Sequence, residues 1–205
     1  MTAATPIVVL VSGSGRSVEN LAQAIAHGKI DARIARVIAD RPGIGAIERC
    51  QRLGIPCDVL EPKTLGGMAA FSHAVFERAR VERARWIVLL GFLRLLQLDD
   101  SWRGRVVNIH PALLPDFGGK GMWGEHVHRA VLAAGRTESG CTVHLVDDVY
   151  DRGRVVLQRR VPVLPGDTAE TLAARVFEAE QQAMPDALRI LIEGDARAAG
   201  AKARN

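Results

Sequence analysis

Ile7-Val8-Val9-Leu10-Val11-Ser12-Gly13-Ser14-Gly15-Arg16-Ser17 is the stretch that decides the fold class. Its unbroken apolar run reads as a strand covered on both faces, because a half-exposed strand would alternate with polar residues. Ser12–Gly15 breaks the run, and Leu21 and Ile25, with neighbouring alanines, then carry a helical period to Gly28. Outward from this unit the alternation repeats. Ala32–Ala39 reads as a second strand, Ile44–Leu53 as a helix stopped by Gly54, and Cys57–Leu60 as a third strand. Met68–Ala84 reads as a helix, with Phe71, Val75 and Ala79 spaced to face a core, and Trp86–Leu90 and Val106–Ile109 as further buried strands. This order predicts an α/β fold, a doubly wound, mostly parallel sheet of Rossmann-like type with helices on both faces. After Gly140 the pattern changes. Cys141–Val146 and Val155–Val161 read as a C-terminal strand pair joined by Asp147–Arg154, followed by a long helix over Thr168–Glu193. Asp167 or Thr168 caps that helix, and the Ala-, Arg- and Lys-rich tail, 195–205, is expected to fray.

A chain of 205 residues holds one sizeable core and is short for two, so a single domain over 1–205 is expected, its ordered core about 7–193. The net charge of +4 comes from scattered arginines, with Arg152, Arg154, Arg159 and Arg160 close together near the expected site. That balance suits phosphorylated or carboxylate-bearing small molecules. No aromatic-interleaved basic stripe points to nucleic acid. Cys50, Cys57 and Cys141 form no CxxC pair, which favours a reducing cytoplasm. Met1–Pro6 has no basic n-region, and Ile7–Val11 is too short for a signal or membrane segment. A cytoplasmic chain without membrane or nucleic-acid partners is expected, as monomer or homodimer.

Asn108-Ile109-His110-Pro111 carries the chemistry. Side chains alternate along a strand, so Asn108 and His110 point the same way, and Pro111, then Pro115, keeps the chain from continuing as a ladder donor. A neutral hydrogen-bond donor and a group that titrates near neutrality then sit side by side at the mouth of a sheet, as suits a carbonyl oxygen becoming an oxyanion. The same tetrapeptide could also be a loop whose polar groups only satisfy backbone. Ser12-Gly13-Ser14-Gly15-Arg16-Ser17, between strand and helix, is a candidate phosphate cradle, since glycines allow close approach and a helix N-terminus offers free N–H groups. Arg16 could add a charge-assisted contact. Val18 stands where a dinucleotide fingerprint wants a third glycine, although Asp40 lies about where a ribose-binding acid occurs. A tight βα turn without ligand is the alternative.

Taken together, Val8–Ser17, Gly91–Leu96, Asn108–Pro115, Gly140–Val146 and Tyr150–Gly153 occur in an order that resembles the folate-dependent formyltransferases, specifically the glycinamide ribonucleotide transformylases. The likeness covers roughly Ile7 to Glu193. It implies transfer of a formyl group from 10-formyltetrahydrofolate, a co-substrate, to the amine of glycinamide ribonucleotide, with no metal. It also implies roles. Asn108, His110 and Asp151 match the catalytic trio. Arg94, Leu95 and Leu96, with Val146, Asp147 and Asp148, match the walls around the folate. Gly13, Ser14, Gly15, Arg16 and Ser17 match the phosphate loop, Asn20 the asparagine that follows it, and Glu180 a carboxylate on the nucleotide's ribose. In this scheme Asp151 raises the pKa of His110 and relays a proton through water.

Three departures from the family pattern stand out: the longer Arg16-Ser17-Val18-Glu19 segment before Asn20, the glycine-rich Gly118–Gly124 insertion, and Arg152-Gly153-Arg154 after Asp151. The insertion reads as a lid or a reshaped substrate wall. Another phosphorylated amine, an amino sugar nucleotide or water as acceptor therefore stays open, as does a non-catalytic nucleotide-binding module using the glycine loop and Asp40. His126 and His128 are expected near a helix over Val127–Ala134, touching substrate rather than metal. His144 and Cys141 read as core residues of a strand, and Asp147 and Asp148 as turn formers.

Overall fold

The computed structural model describes residues 4–202, which form a seven-stranded sheet in the order β3-β2-β1-β4-β5-β6-β7. The strands are β1 Thr5–Val11, β2 Ala32–Ala39, β3 Cys57–Val59, β4 Trp86–Leu89, β5 Val106–His110, β6 Glu138–Leu145 and β7 Val155–Pro162. The helices are α1 Arg16–Ala26, α2 Gly45–Leu53, α3 Met68–Val81, α4 Glu125–Ala133 and α5 Ala169–Lys202. β1 to β5 pair in parallel, whereas β6 and β7, the strand pair expected after Gly140, are antiparallel and continue the same sheet.

Strand alternation divides the apolar residues between two cores. Ile7, Val9 and Val11 face one way and pack with Val18 and Leu21 of α1 and Leu172, Val176 and Leu188 of α5. Val8 and Leu10 face the other way and pack with Phe71, Val75, Phe76 and Ala79 of α3. This two-sided burial is the reason for the unbroken Ile7–Val11 run. Among the described residues no helix is long and apolar enough to cross a membrane.

Boundaries shift where tertiary contacts override local pattern. β6 begins at Glu138, ahead of the expected Cys141, because Glu138, Ser139 and Gly140 pair with Pro162, Val161 and Arg160. α3 stops at Val81, and Arg83, with φ 53°, turns the chain toward β4. α5 continues past Glu193 to Lys202, so most of the expected frayed tail is helical, and 203–205 lie outside the described residues. Two of the four arginines expected near the site are tied up elsewhere, Arg159 with Asp186 and Arg160 with Glu138.

The β6–β7 connection is held tightly. A Cβ on Gly153 would lie 1.8 Å from the Leu145 carbonyl oxygen, so only glycine fits. Gly153→Ala is expected to lower unfolding stability by at least about 2 kcal/mol in urea titrations, because the turn must open to admit the methyl.

Candidate active site

A cleft of about 930 Å³ opens at the carboxyl ends of the parallel strands, where such sheets bind ligands. β1 and β4 are neighbours although α1, β2, α2, β3 and α3 intervene in sequence, so the strand order reverses between them. Gly13–Ser17 after β1 and Gly91–Leu95 after β4 both line the cleft at this reversal.

The phosphate-loop candidate is braced from α2. Ala46 N–H donates to Gly13 O at 3.2 Å, and Arg49 Nε donates to Ser14 O at 2.8 Å while its guanidinium pairs with Glu19. Gly15 holds a left-handed φ of 77°, and a Cβ there would lie 2.6 Å from Ala46 Cα. α1 starts at Arg16, which stacks its guanidinium over Phe177 at 4.4 Å. Among the described residues, Arg16 and Lys120 are cations of the cleft without an acidic partner, whereas Arg94 is paired. Asn20 does not reach the cleft: its amide donates to Gln181 O at 2.9 Å and ties α1 to α5.

Glu180 does line the cleft, on α5, where burial pushes its carboxyl up to about 7 against the opposing charge of Arg16. Near neutrality such a group can both donate to and accept from a hydroxyl. Asp40 is not available for a ribose. Its side chain is fully buried and pairs with Arg94 at 2.6 Å and Arg41 at 3.0 Å. Burial alone would raise this carboxyl, but hydrogen bonds from Arg41, Arg94 and Ser12 more than offset it and hold it below the usual carboxylate range.

After β4, the backbone N–H groups of Arg94, Leu95 and Leu96 donate to no protein acceptor among the described residues, leaving that segment open to a ligand's polar edge. The Leu96 side chain itself is buried in the α3-side core. Val146 lines the cleft, whereas Asp147 accepts from Val149 N–H and Asp148 pairs with Arg103 outside it. As side chains, the two aspartates are turn and surface groups.

The trio does converge. Asn108 and His110 sit on one face of β5, and Asp151 comes from the β6–β7 connection, in a left-handed conformation with φ 57°. Asp151 Oδ2 lies 3.5 Å from His110 Nδ1 and accepts from Gly119 N–H at 2.9 Å. His110 Nε2 donates to Phe117 O at 2.8 Å. The Phe117–Gly119 segment, where the chain departs from its expected family pattern, thus holds both the imidazole and the acid. Thr142 fixes the chain beyond His110, donating to Ala112 O at 2.7 Å and accepting from Leu114 N–H at 3.0 Å.

Sequence reasoning missed His144 and Thr142, whereas His128 was expected beside the substrate. His144 faces Asn108 across the β5–β6 ladder, 3.1 Å from Nε2 to the amide nitrogen, and lies 3.4 Å from Asp151 Oδ1. Alternation with apolar neighbours made it look like core, and only the strand register reveals its partner. His128 lines the cleft from α4 with a buried Nδ1 that has no hydrogen-bond partner among the described residues. Trp123 lies half-exposed at the cleft, its ring edge-on to His126 at 5.1 Å. Among the described residues no group of three His, Cys, Asp or Glu is arranged to hold a metal.

Asp151 acts on His110 in the expected direction, but burial outweighs it. His110 titrates below its ordinary value of 6.5, because desolvation outweighs the raising effects of Asp151 and the Phe117 carbonyl. Burial would raise Asp151, but contacts with His144, His110 and Gly119 hold it below the usual carboxylate range.

Residues 5–188 match the formyl transferase family. The chain belongs to it. It is 40% identical over 196 residues to the trifunctional purine biosynthetic protein adenosine-3 of Drosophila pseudoobscura pseudoobscura, covering 93% of this chain but 14% of that protein. It is 32% identical over 186 residues to the phosphoribosylglycinamide formyltransferase of Bacillus subtilis, covering 90% and 93% respectively. The crystal structure of glycinamide ribonucleotide transformylase 1 from Symbiobacterium toebii superposes with a TM-score of 0.87 at 35% identity, over 95% of this chain and 90% of that one.

The lowered histidine pKa values set the sign of the pH dependence. Folded His110 and His128 take up protons less readily than the unfolded chain, so their contribution to stability is lost as pH falls below about 6.5. Melting temperature is expected to decline from pH 7.5 to 5.5, and less steeply in His110→Gln. In Asp151→Asn, His110 loses its counter-charge, so its ring is expected to titrate at lower pH than in the parent chain, as followed by NMR of the imidazole.

Proposed function

We propose that this chain transfers the formyl group of 10-formyltetrahydrofolate to the amine of glycinamide ribonucleotide, a step of purine biosynthesis; its relatives are named as a phosphoribosylglycinamide formyltransferase and a purine biosynthetic protein. The observation that carries this reading is a carboxamide, an imidazole and a buried carboxylate meeting at one wall of a cleft. A glycine loop and helix start line the same cleft. Its volume falls within the range of small-molecule sites, toward the top, as two co-substrates require.

The amine nitrogen attacks the formyl carbon, forming a new C–N bond and moving the carbonyl pair onto oxygen. Asn108 Nδ2–H and the His110 ring stabilise that oxyanion. Collapse breaks the bond to the folate nitrogen, which takes up the proton the amine loses, with Asp151 as the group that passes it through water. No covalent enzyme intermediate is needed, and Cys141, which burial pushes up to about 12, has no part. The unpaired backbone of Arg94–Leu96 and the Val146 side chain receive the folate ring. Gly13–Ser17 receives the phosphate, with Arg16 as its counter-charge, and Glu180 the ribose. Every residue in this scheme comes from one chain, which acts as a single domain, monomer or homodimer, in the cytoplasm, where Cys50, Cys57 and Cys141 stay as free thiols.

Tetrahydrofolate release is measured with glycinamide ribonucleotide, other phosphorylated amines, an amino sugar nucleotide and an amine-free control. Turnover is expected with glycinamide ribonucleotide, and strong turnover only with another acceptor would overturn its assignment. Asn108→Ala and His110→Ala are each expected to lower kcat by about 10²- to 10³-fold while folate binding persists. Arg16→Ala is expected to raise KM for the phosphorylated amine by about tenfold or more, the loss of one charge-assisted contact, with KM for the folate unchanged.

A further inference from the structure

An asparagine amide has two ends of nearly equal size, and only the NH₂ end can stabilise an oxyanion. What decides which end faces the cleft is the partner of the other groups. His144 is that partner. Its Nδ1 lies 2.9 Å from the Leu145 carbonyl oxygen, which can only accept, so the ring proton resides on Nδ1 and the lone pair on Nε2. Nε2 is 3.1 Å from Asn108 Nδ2, within hydrogen-bond geometry. His144 is 2% exposed, so water does not compete for that lone pair. Turning the amide over would set its oxygen against the same lone pair in a dry place. The ladder makes the encounter obligatory, since Asn108 and His144 are directly opposite in β5 and β6.

We propose that His144 is a positioning residue for formyl transfer: it takes one N–H of Asn108 and thereby commits the amide's remaining N–H to the formyl oxygen. This role rests on the catalytic reading of Asn108. His144 touches Asp151 as well, but at 3.4 Å, longer than its contact with Asn108. The order of control runs from a carbonyl to a tautomer, and from the tautomer to an amide.

A double-mutant cycle tests it. His144→Leu keeps bulk and removes the acceptor, His144→Gln restores an acceptor at reach, and His144→Asn fills the Nδ1 position alone. His144→Leu and His144→Asn are expected to lower kcat by about 10- to 100-fold, the scale of one lost transition-state donor, with both KM values within about twofold. His144→Gln should recover much of the loss. In the Asn108→Ala background, His144→Leu should cost less than about threefold further, since residues acting as one unit are not additive. Circular dichroism checks folding, and if the leucine variant unfolds, the Gln and Asn pair carries the comparison. Equal fold-losses in both backgrounds, or coupling to Asp151→Asn and not to Asn108→Ala, would refute the proposal. Full turnover by Asn108→Ala alone is a different result and refutes the catalytic reading beneath it.

Discussion

The Asp151 carboxylate is almost shut away from water, and most of the surrounding architecture can be understood as what that burial requires. An ionised carboxylate without partners would lose several kcal/mol on leaving water and would instead take up a proton. Here its Oδ2 meets His110 Nδ1 and the Gly119 N–H, so β5 and the glycine-rich segment before α4 must both be in place before the acid can stay charged. Asp151 itself accepts a left-handed backbone, an unusual conformation for a residue with a side chain. Gly153, two residues on, lets the turn close against Leu145. A turn this constrained is the means by which a loop residue is given the positional accuracy of a strand residue.

The sheet supplies the rest by its order. Parallel strands place their carboxyl ends at one edge, which brings the glycine segments after β1 and β4 together at the point where the order reverses. The Asn108–His144 contact belongs to the antiparallel part of the sheet. It arises because β6 runs antiparallel to β5, so residues from distant parts of the chain meet as directly opposed side chains. The same reversal lets Thr142 hold Ala112 and Leu114 just past the imidazole. Parallel strands make the cleft, and the antiparallel pair arms its wall.

This division explains what could be read from the residues beforehand. Ile7–Val11 and Trp86–Leu90 announce themselves by continuous apolarity, because burial on both faces is a local requirement written residue by residue. Asn108 and His110 are legible for the same reason: spacing of two on a strand guarantees a shared face. Asp151 was reachable only through family likeness, since nothing local distinguishes it from Asp147 or Asp148, which turned outward to cap a turn and pair with Arg103. His144 and Asp40 were misjudged in opposite directions. His144 looked like core and faces the site, whereas Asp40 looked like a ligand contact and is consumed by Arg41 and Arg94. In both cases the deciding fact is a long-range partner, and periodicity carries no information about partners.

Burial of His110 is a further consequence with mechanistic weight. Had Asp151 dominated, the imidazole would hold a proton more readily before the reaction begins. Desolvation instead lowers its pKa while the acid remains beside it. A ring in that balance responds to charge that appears during the reaction: an oxyanion forming nearby opposes the desolvation penalty and favours the protonated ring at the moment it is needed. Only interactions stronger in the transition state than in the ground state accelerate a reaction, and a depressed imidazole next to a retained carboxylate meets that condition. The Phe117 carbonyl fixes Nε2 as a donor and leaves Nδ1 as the atom whose proton can come and go on the side of Asp151. The glycine-rich segment is therefore part of the electrostatic machinery, because its Phe117 carbonyl holds His110 Nε2 and its Gly119 N–H holds the Asp151 oxygen that faces Nδ1.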